Sequence, residues 1–125
     1  MARILIIDDD AAVRGFFRTV LEKLLGLTVT EADSLSGAIK SLSVSSPDLI
    51  FLDSNLPDGT AKDFCLKLKK IYPAALAIPK LIISGVRKAD GEDLDWQTFG
   101  IKDYLVKPCS IDDIKDTVNR CLKKS

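Results

Sequence analysis

Short apolar runs alternate along the chain with segments whose apolar residues recur at helical spacing. Five runs rich in Ile, Leu and Val are predicted to be strands, at 4–7, 27–30, 49–52, 81–83 and 104–106. A continuous apolar run such as ILII is typical of a strand that is covered on both faces. Strands that alternate with helices form βαβ units, so the sequence predicts an α/β fold with a parallel sheet between two layers of helices.

The segments between the strands supply the predicted helices. Asp10, Ser34 and Ser110 are suited to N-caps, and Gly26 is suited to end the first helix. A weaker helix is predicted over 92–99. The apolar faces of the other four helices are predicted to be Val13, Phe17, Val20, Leu21 and Leu24; Leu35, Ala38, Ile39 and Leu42; Ala61, Phe64, Cys65 and Leu68; and Ile111, Ile114, Val118 and Leu122.

Composition excludes several classes of function. Lys plus Arg and Asp plus Glu number 18 each, so the zero net charge argues against direct binding of nucleic acid. The chain has no histidine, which excludes Ser-His-Asp and Cys-His catalysis. Its three cysteines form no CxxC pair and are expected to be free thiols. No run reaches the length of a membrane span and no signal peptide is apparent, so we expect a cytoplasmic protein that does not contact the membrane.

Polar residues stand where four of the predicted strands end. Asp8 and Asp9 follow the first strand, Asp53 follows the third, Ser84 the fourth and Lys107 the fifth. In open parallel sheets, ligands bind outside the carboxyl ends of the strands. We therefore expect these side chains to meet at one edge of the sheet.

The residue types at that edge suit phosphoryl chemistry. Mg²⁺ prefers oxygen ligands and usually combines one or two carboxylates with phosphate oxygens, so Asp8, Asp9 and Asp53 form a candidate Mg²⁺ site. Lys107 offers a cation and Ser84 a hydroxyl donor for the oxygens of a phosphoryl group. Because carboxylates can act as covalent nucleophiles, the set predicts phosphoryl transfer onto Asp53.

Four motifs in order resemble the receiver domain of two-component response regulators. They are ILIIDDD with the acidic pair, LIFLDSNLPDG with the phosphoacceptor Asp53, LIISG with the switch hydroxyl at Ser84, and DYLVKP with the signature Lys107 and the switch aromatic Tyr104. The resemblance covers essentially the whole chain. It implies a flavodoxin-like (βα)5 fold with strand order 2-1-3-4-5.

The resemblance also implies a mechanism. A sensor histidine kinase or a histidine phosphotransfer protein would donate the phosphoryl group to Asp53. Mg²⁺ would be held by Asp9, Asp53 and the backbone carbonyl of Asn55, with Asp8 acting through water. Ser84 and Tyr104 would then rearrange the surface of the fourth helix, fifth strand and fifth helix, which would control a downstream effector protein or domain.

The resemblance implies a regulatory phosphoacceptor rather than an enzyme, although one that assists its own phosphorylation and dephosphorylation. We expect residues 1–125 to form a single receiver domain with no effector domain in this chain, as a monomer or a phosphorylation-dependent dimer. Two departures from the family's pattern are Ala61, in place of a common glycine, and Cys109, in place of a common phenylalanine.

Three other interpretations compete with the receiver. A haloacid-dehalogenase-like phosphatase would use Asp8 as its nucleophile, but it leaves Asp53 without a role. A pseudo-receiver would keep the fold and act only through protein interactions, yet the acidic pair, acceptor, hydroxyl and lysine are all present. A nucleotide-binding Rossmann domain would need a glycine-rich turn after the first strand, and the sequence has none there.

Overall fold

The chain folds around a five-stranded sheet. The computed structural model describes residues 2–85 and 95–122. The strands lie in the order β2-β1-β3-β4-β5 and each neighbouring pair is parallel, which confirms the predicted flavodoxin-like fold and excludes the strand order of a Rossmann domain. Their bounds are β1 (Arg3–Ile7), β2 (Thr28–Ala32), β3 (Leu49–Asp53), β4 (Lys80–Ser84) and β5 (Ile101–Val106).

Four α-helices lie within the described residues, and the three predicted polar caps are present. The side chain of Asp10 accepts a hydrogen bond from the Ala12 amide, and Ser34 and Ser110 accept from amides three residues further on. In the described part of the chain, no helix has the length and apolar character needed to cross a membrane. The helices are α1 (Ala11–Thr19), α2 (Leu35–Leu42), α3 (Ala61–Ile71) and α4 (Ile111–Leu122).

Two apolar cores cover the two faces of the sheet. Alternate residues of one strand point to opposite faces, so β1 places Leu5 and Ile7 in one core and Ile4 and Ile6 in the other. The first core lies under α2 and α3, and the second lies under α1 and α4. This arrangement explains why the interior positions of the three central strands, β1, β3 and β4, are all apolar.

Two side chains predicted to be buried are exposed. Leu24 is 54% exposed because the chain after α1 continues as a π-helical turn, Val20–Leu24, which changes the helical period and turns Leu24 away from the core. Ile111 is 44% exposed. It is the first residue of α4, and the buried stripe of that helix starts one turn later, at Ile114.

The two edge strands differ from their predicted bounds. β2 extends to Ala32 and β5 begins at Ile101, because each contains charged residues that an apolar run does not reveal. The described part of the helix predicted over 92–99 is a turn with a hydrogen bond from the Phe99 amide to the Asp95 carbonyl oxygen. Residues 86–94 lie outside the described residues.

A lysine is buried at the end of the sheet opposite to the predicted site. Lys80 is the first residue of β4 and has no solvent exposure. Its ammonium group lies within 3.4 Å of four main-chain carbonyl oxygens, those of Ala75, Leu76, Ile78 and Phe99. Burial lowers the pKa of Lys80 to about 8. The amine thereby connects the turn before β4 to the turn before β5.

Candidate functional site

Three carboxylates meet at the carboxyl edge of the sheet. Asp8 and Asp9 directly follow β1, and Asp53 is the last residue of β3, the neighbouring strand. Asp8 and Asp53 are buried and Asp9 is exposed. One carboxylate oxygen from each residue lies within 4.8 Å of the other two. The predicted convergence of the strand ends is therefore present in the fold.

The third aspartate of the DDD run has a different position. The Asp10 carboxylate accepts hydrogen bonds from the amides of Ala12 and Val13, at 2.9 and 3.4 Å, and so it caps α1. The Asp8 carboxylate in turn accepts from the Asp10 amide at 2.9 Å. Thus two of the three carboxylates in the run are available to the site, and the third starts the helix that follows.

Lys107 lies among the carboxylates and is closer to Asp8 than to Asp53. Its Nζ is 2.9 Å from Asp8 Oδ2 and 3.7 Å from Asp53 Oδ2. Burial acts to lower the pKa of Lys107, but the hydrogen bond to Asp8 and the two negative charges outweigh it and raise that pKa. The ammonium group offsets part of the repulsion between the clustered carboxylates.

The environment of Asp53 disfavours the charged form of its carboxylate. Burial raises its pKa, and so do the charges of Asp8 and Asp9. The amide of Asn55, which donates to Asp53 Oδ1 at 3.2 Å, and the charge of Lys107 act in the opposite direction. A buried carboxylate with a charge partner at a strand end is a candidate for a functional group.

The segment after Asp53 is a short hairpin that is fixed to α2. Asn55–Leu56 pairs with Gly59–Thr60. The Asp58 carboxylate at the turn accepts hydrogen bonds from the amides of Leu35 and Ser36, at 2.9 and 3.1 Å. Thr60 then caps α3 through a capping box, and Ala61 is the first residue of that helix. The residue that departs from the family's glycine is therefore accommodated as a buried helix start.

Ser84 and Tyr104 occupy adjoining strands. Ser84 ends β4 and is buried, and its carbonyl oxygen accepts a hydrogen bond from the Lys107 amide. Tyr104 lies in β5, opposite Ile82, and packs partly buried against the core under α2 and α3. The hydroxyl and the aromatic residue thus lie in a pair of hydrogen-bonded strands, and Lys107 directly follows the second of them.

The carboxylates fit a magnesium ion. Mg²⁺ binds oxygens at about 2.0–2.1 Å in an octahedron, so two of its ligand oxygens are at most about 4.2 Å apart. The three carboxylate oxygens lie within 4.8 Å of one another, so a small side-chain movement brings them to that limit, and a carboxylate that acts through a water need not reach it. Their charge and their oxygen chemistry suit a hard divalent cation.

Two features of the site were not predicted from the sequence. Arg14 of α1 donates from Nη1 to the carbonyl oxygen of Asp8 at 2.6 Å and from Nε to Glu31 at 2.8 Å. A groove of about 610 Å³ opens beside Lys107 and is lined mainly by apolar side chains, including Phe16 of α1 and Cys109 after β5. The contact of Arg14 with Asp8 could have been suspected from the sequence, because Arg14 lies only four residues after the helix cap.

Comparison with known proteins assigns the family. The sequence model of the response regulator receiver domain matches residues 4–119. The KDP operon transcriptional regulatory protein KdpE of Escherichia coli is 32% identical over 124 residues, which cover 99% of this chain and 52% of KdpE. The luminescence regulatory protein LuxO of Vibrio campbellii is 32% identical over 120 residues, or 25% of its length. The chain thus spans about half of KdpE and a quarter of LuxO.

A solved structure of similar length has the same fold. The chemotaxis response regulator CheY4 of Vibrio cholerae superimposes with a TM-score of 0.85 at 23% identity, covering 98% of this chain and 99% of that one. This structural likeness supports the fold. The assignment to the family rests on the match to the sequence model and on the sequence similarity to KdpE. With the polar residues of four motifs at one edge of a 2-1-3-4-5 sheet, the chain belongs to the response regulator receiver domain family.

Proposed function

We propose that this domain accepts a phosphoryl group on Asp53 and so acts as the regulated input of a two-component or phosphorelay system. The observation that supports this proposal best is the cluster of Asp8, Asp9 and Asp53 with Lys107 at the carboxyl edge of the sheet. A fold needs no such crowding of like charges for its stability, because two carboxylates at about 4 Å repel by roughly 1–4 kcal/mol.

The proposed reaction uses Asp53 as a nucleophile. A carboxylate oxygen attacks the phosphorus of a phosphohistidine on a sensor histidine kinase or a phosphotransfer protein. The P–N bond breaks, and its electron pair goes to the imidazole nitrogen of the donor. The acceptor must be ionised, and the Asn55 amide and Lys107 favour that form against the effect of burial.

Asp9, Asp53 and the Asn55 carbonyl would hold Mg²⁺, with Asp8 contributing through water. When bound, Mg²⁺ supplies positive charge to the oxygens of the transferred group. Lys107 would exchange its contact with Asp8 for one with a phosphoryl oxygen, which requires a movement of the ammonium group away from Asp8. The ion would then compensate the negative charge of Asp8.

The proposed output is a change in the surface around β5. The Ser84 hydroxyl would move toward the phosphoryl oxygens, and Tyr104 would move further inward. That movement would alter the surface of the fourth helix, fifth strand and fifth helix of the family fold, where an effector protein or domain would respond. The partly buried state of Tyr104 supports this proposal, because a residue between core and solvent can shift in either direction.

The family membership supports a proposal for the partners. A histidine kinase or phosphotransfer protein would supply the phosphoryl group, and an apolar segment of that donor would bind the groove beside Lys107. KdpE is a transcriptional regulatory protein by name, and output through transcription is one candidate for a longer protein that contains this domain. We propose that the domain itself does not contact nucleic acid and that it is a monomer or a phosphorylation-dependent dimer.

The test is uptake of a phosphoryl group from acetyl phosphate and Mg²⁺, followed by the mass of the intact protein. The wild-type domain should gain one labile phosphoryl group, and Asp53→Asn should gain none, because an amide is a poor nucleophile. Asp10→Asn is the matched control, since asparagine also caps a helix and should leave uptake unchanged. Wild-type uptake by Asp53→Asn would refute the proposal.

The switch is tested by backbone amide NMR with and without fluoroberyllate, a phosphoryl mimic. Ser84→Ala should still bind the mimic but should show smaller shifts around Tyr104. A neutral hydrogen bond is worth about 0.5–1.5 kcal/mol, so the switch equilibrium should change by up to roughly tenfold. Shifts equal to those of the wild-type domain would show that Ser84 does not transmit the signal.

A further inference from the structure

Arg14 links the acidic pair to the neighbouring edge strand. Its side chain is 17% exposed and makes two directed contacts. Nη1 donates to the carbonyl oxygen of Asp8 at 2.6 Å, and Nε donates to the Glu31 carboxylate at 2.8 Å. Glu31 belongs to β2, so one guanidinium group connects α1, β2 and the residue that follows β1.

The carbonyl that Arg14 contacts belongs to the peptide between Asp8 and Asp9. A peptide unit is planar, so fixing this oxygen also fixes the amide nitrogen and Cα of Asp9. The other side of Asp8 is anchored as well, because its amide donates to the Ala32 carbonyl oxygen at 3.1 Å. Arg14 therefore constrains the backbone from which the exposed carboxylate of Asp9 extends.

We infer that Arg14 is a positioning residue that holds the backbone of the acidic pair in the arrangement that binds the divalent cation. The inference rests on the proposed function, because it assigns a residue to the metal site of that function. Groups that orient metal ligands from outside the ligand set commonly change metal affinity by 10–100-fold when they are replaced. Arg14 does so through a main-chain carbonyl, and Glu31 holds the guanidinium in place.

A purely electrostatic role for Arg14 predicts the opposite sign. A positive charge close to the carboxylates repels a cation, so removing the charge would tighten Mg²⁺ binding. Positioning predicts weaker binding, because the Asp9 backbone gains freedom that metal binding must remove. Lysine separates the two roles, since it keeps the charge but cannot reproduce the fork of donors that reaches Asp8 and Glu31 together.

The chain contains a matched control in Arg18. It lies one turn after Arg14 on α1 and also binds Glu31, with Nη1 2.6 Å from Oε2. It also pairs with Glu22, whose Oε1 is 3.1 Å from Nε. Arg18 thus lies on the same helix as Arg14 and contacts the same carboxylate. Its described contacts are with side chains of β2 and of the turn after α1.

The experiment is calorimetric titration of the full chain with Mg²⁺. Arg14→Lys and Arg14→Ala should both raise the dissociation constant by about tenfold. Arg18→Lys and Arg18→Ala should change it by less than about twofold. Amide NMR without metal should show changed shifts at Asp9 and Asp10 for the Arg14 variants, and the same spectra establish that each variant is folded.

Two results would overturn the inference and leave the metal site of the proposed function standing. Tighter binding by Arg14→Ala together with unchanged binding by Arg14→Lys would assign Arg14 a charge effect alone. Equal losses in the Arg14 and Arg18 variants would assign the effect to the stability of α1. Absence of saturable Mg²⁺ binding by the wild-type chain is a different failure, since it refutes the metal site of the proposed function and the inference with it.

Discussion

Replacing Lys107 by methionine should destabilise the metal-free domain and make it respond more strongly to Mg²⁺. The ammonium group is 2.9 Å from Asp8, whose side chain is only 3% exposed. Without that cation, three carboxylates remain at one edge of the sheet, and Asp8 keeps a buried charge with less compensation. Methionine preserves most of the length and packing of the lysine side chain, so the change is mainly one of charge.

The expected loss in the free energy of unfolding is about 1–3 kcal/mol. Two unit charges at the observed distance attract by about 1.4 kcal/mol in bulk water and about 6 kcal/mol at an effective dielectric constant of about 20. Removing one partner of a fully buried pair costs about 3–5 kcal/mol, and an exposed pair contributes about 0.2–1 kcal/mol. The Lys107 side chain is 26% exposed, which places this pair between the two cases.

Urea denaturation with and without Mg²⁺ measures both effects. Lys102→Met is the matched control, because Lys102 is an exposed lysine of β5, the strand that Lys107 directly follows. It should change the free energy of unfolding by less than about 0.5 kcal/mol. The stabilisation by Mg²⁺ should be larger in Lys107→Met than in the wild-type domain, since the ion replaces the lost charge. A metal-free Lys107→Met domain as stable as the wild type would refute this reasoning.

Three further predictions concern other parts of the molecule. Asp9→Ala should lose most of the rise in melting temperature that Mg²⁺ produces, and an unchanged rise would move the metal elsewhere. The hydrogen bonds from Arg18 and Arg14 lower the pKa of Glu31. Their stabilisation of the fold is therefore complete above the pKa of an unfolded glutamate, about 4.3, and it is lost as the pH falls through the lower pKa of the folded protein. The difference in unfolding free energy between wild type and Glu31→Gln, about 0.2–1 kcal/mol at pH 7, should therefore shrink on acidification, and a constant difference would contradict the ion pair. Lys80→Met should cost about 2–4 kcal/mol in urea denaturation, because it leaves buried carbonyl oxygens without their donor, and a loss below about 0.5 kcal/mol would contradict that role.

The sequence predicted the fold and the location of the site because both depend on local patterns. Continuous apolar runs identify central parallel strands, and polar residues directly after such runs must lie at the carboxyl edge. Asp8, Asp53, Ser84 and Lys107 could therefore be assigned to one edge without knowledge of any contact between them. The edge strands were less predictable, because residues such as Glu31 and Lys102 interrupt the apolar pattern.

Contacts between distant residues could not be read from those patterns. Lys107 and Asp8 are 99 positions apart, and nothing local shows that the amine lies nearer to Asp8 than to Asp53. The same holds for Arg14, whose partners come from β2 and from the residue after β1. Lys80 was likewise missed, because a lysine is rarely buried and its four acceptors belong to two separate turns.

The most direct measurement is the location of the phosphoryl adduct. The domain is incubated with acetyl phosphate and Mg²⁺, the acyl phosphate is trapped by reduction with borohydride, and the modified residue is located by peptide mass spectrometry. The account predicts modification of Asp53 alone. Modification of Asp8 would instead indicate the chemistry of a haloacid-dehalogenase-like phosphatase, and an unmodified protein would indicate a pseudo-receiver. Either result would contradict the assignment of Asp53 as the phosphoryl acceptor.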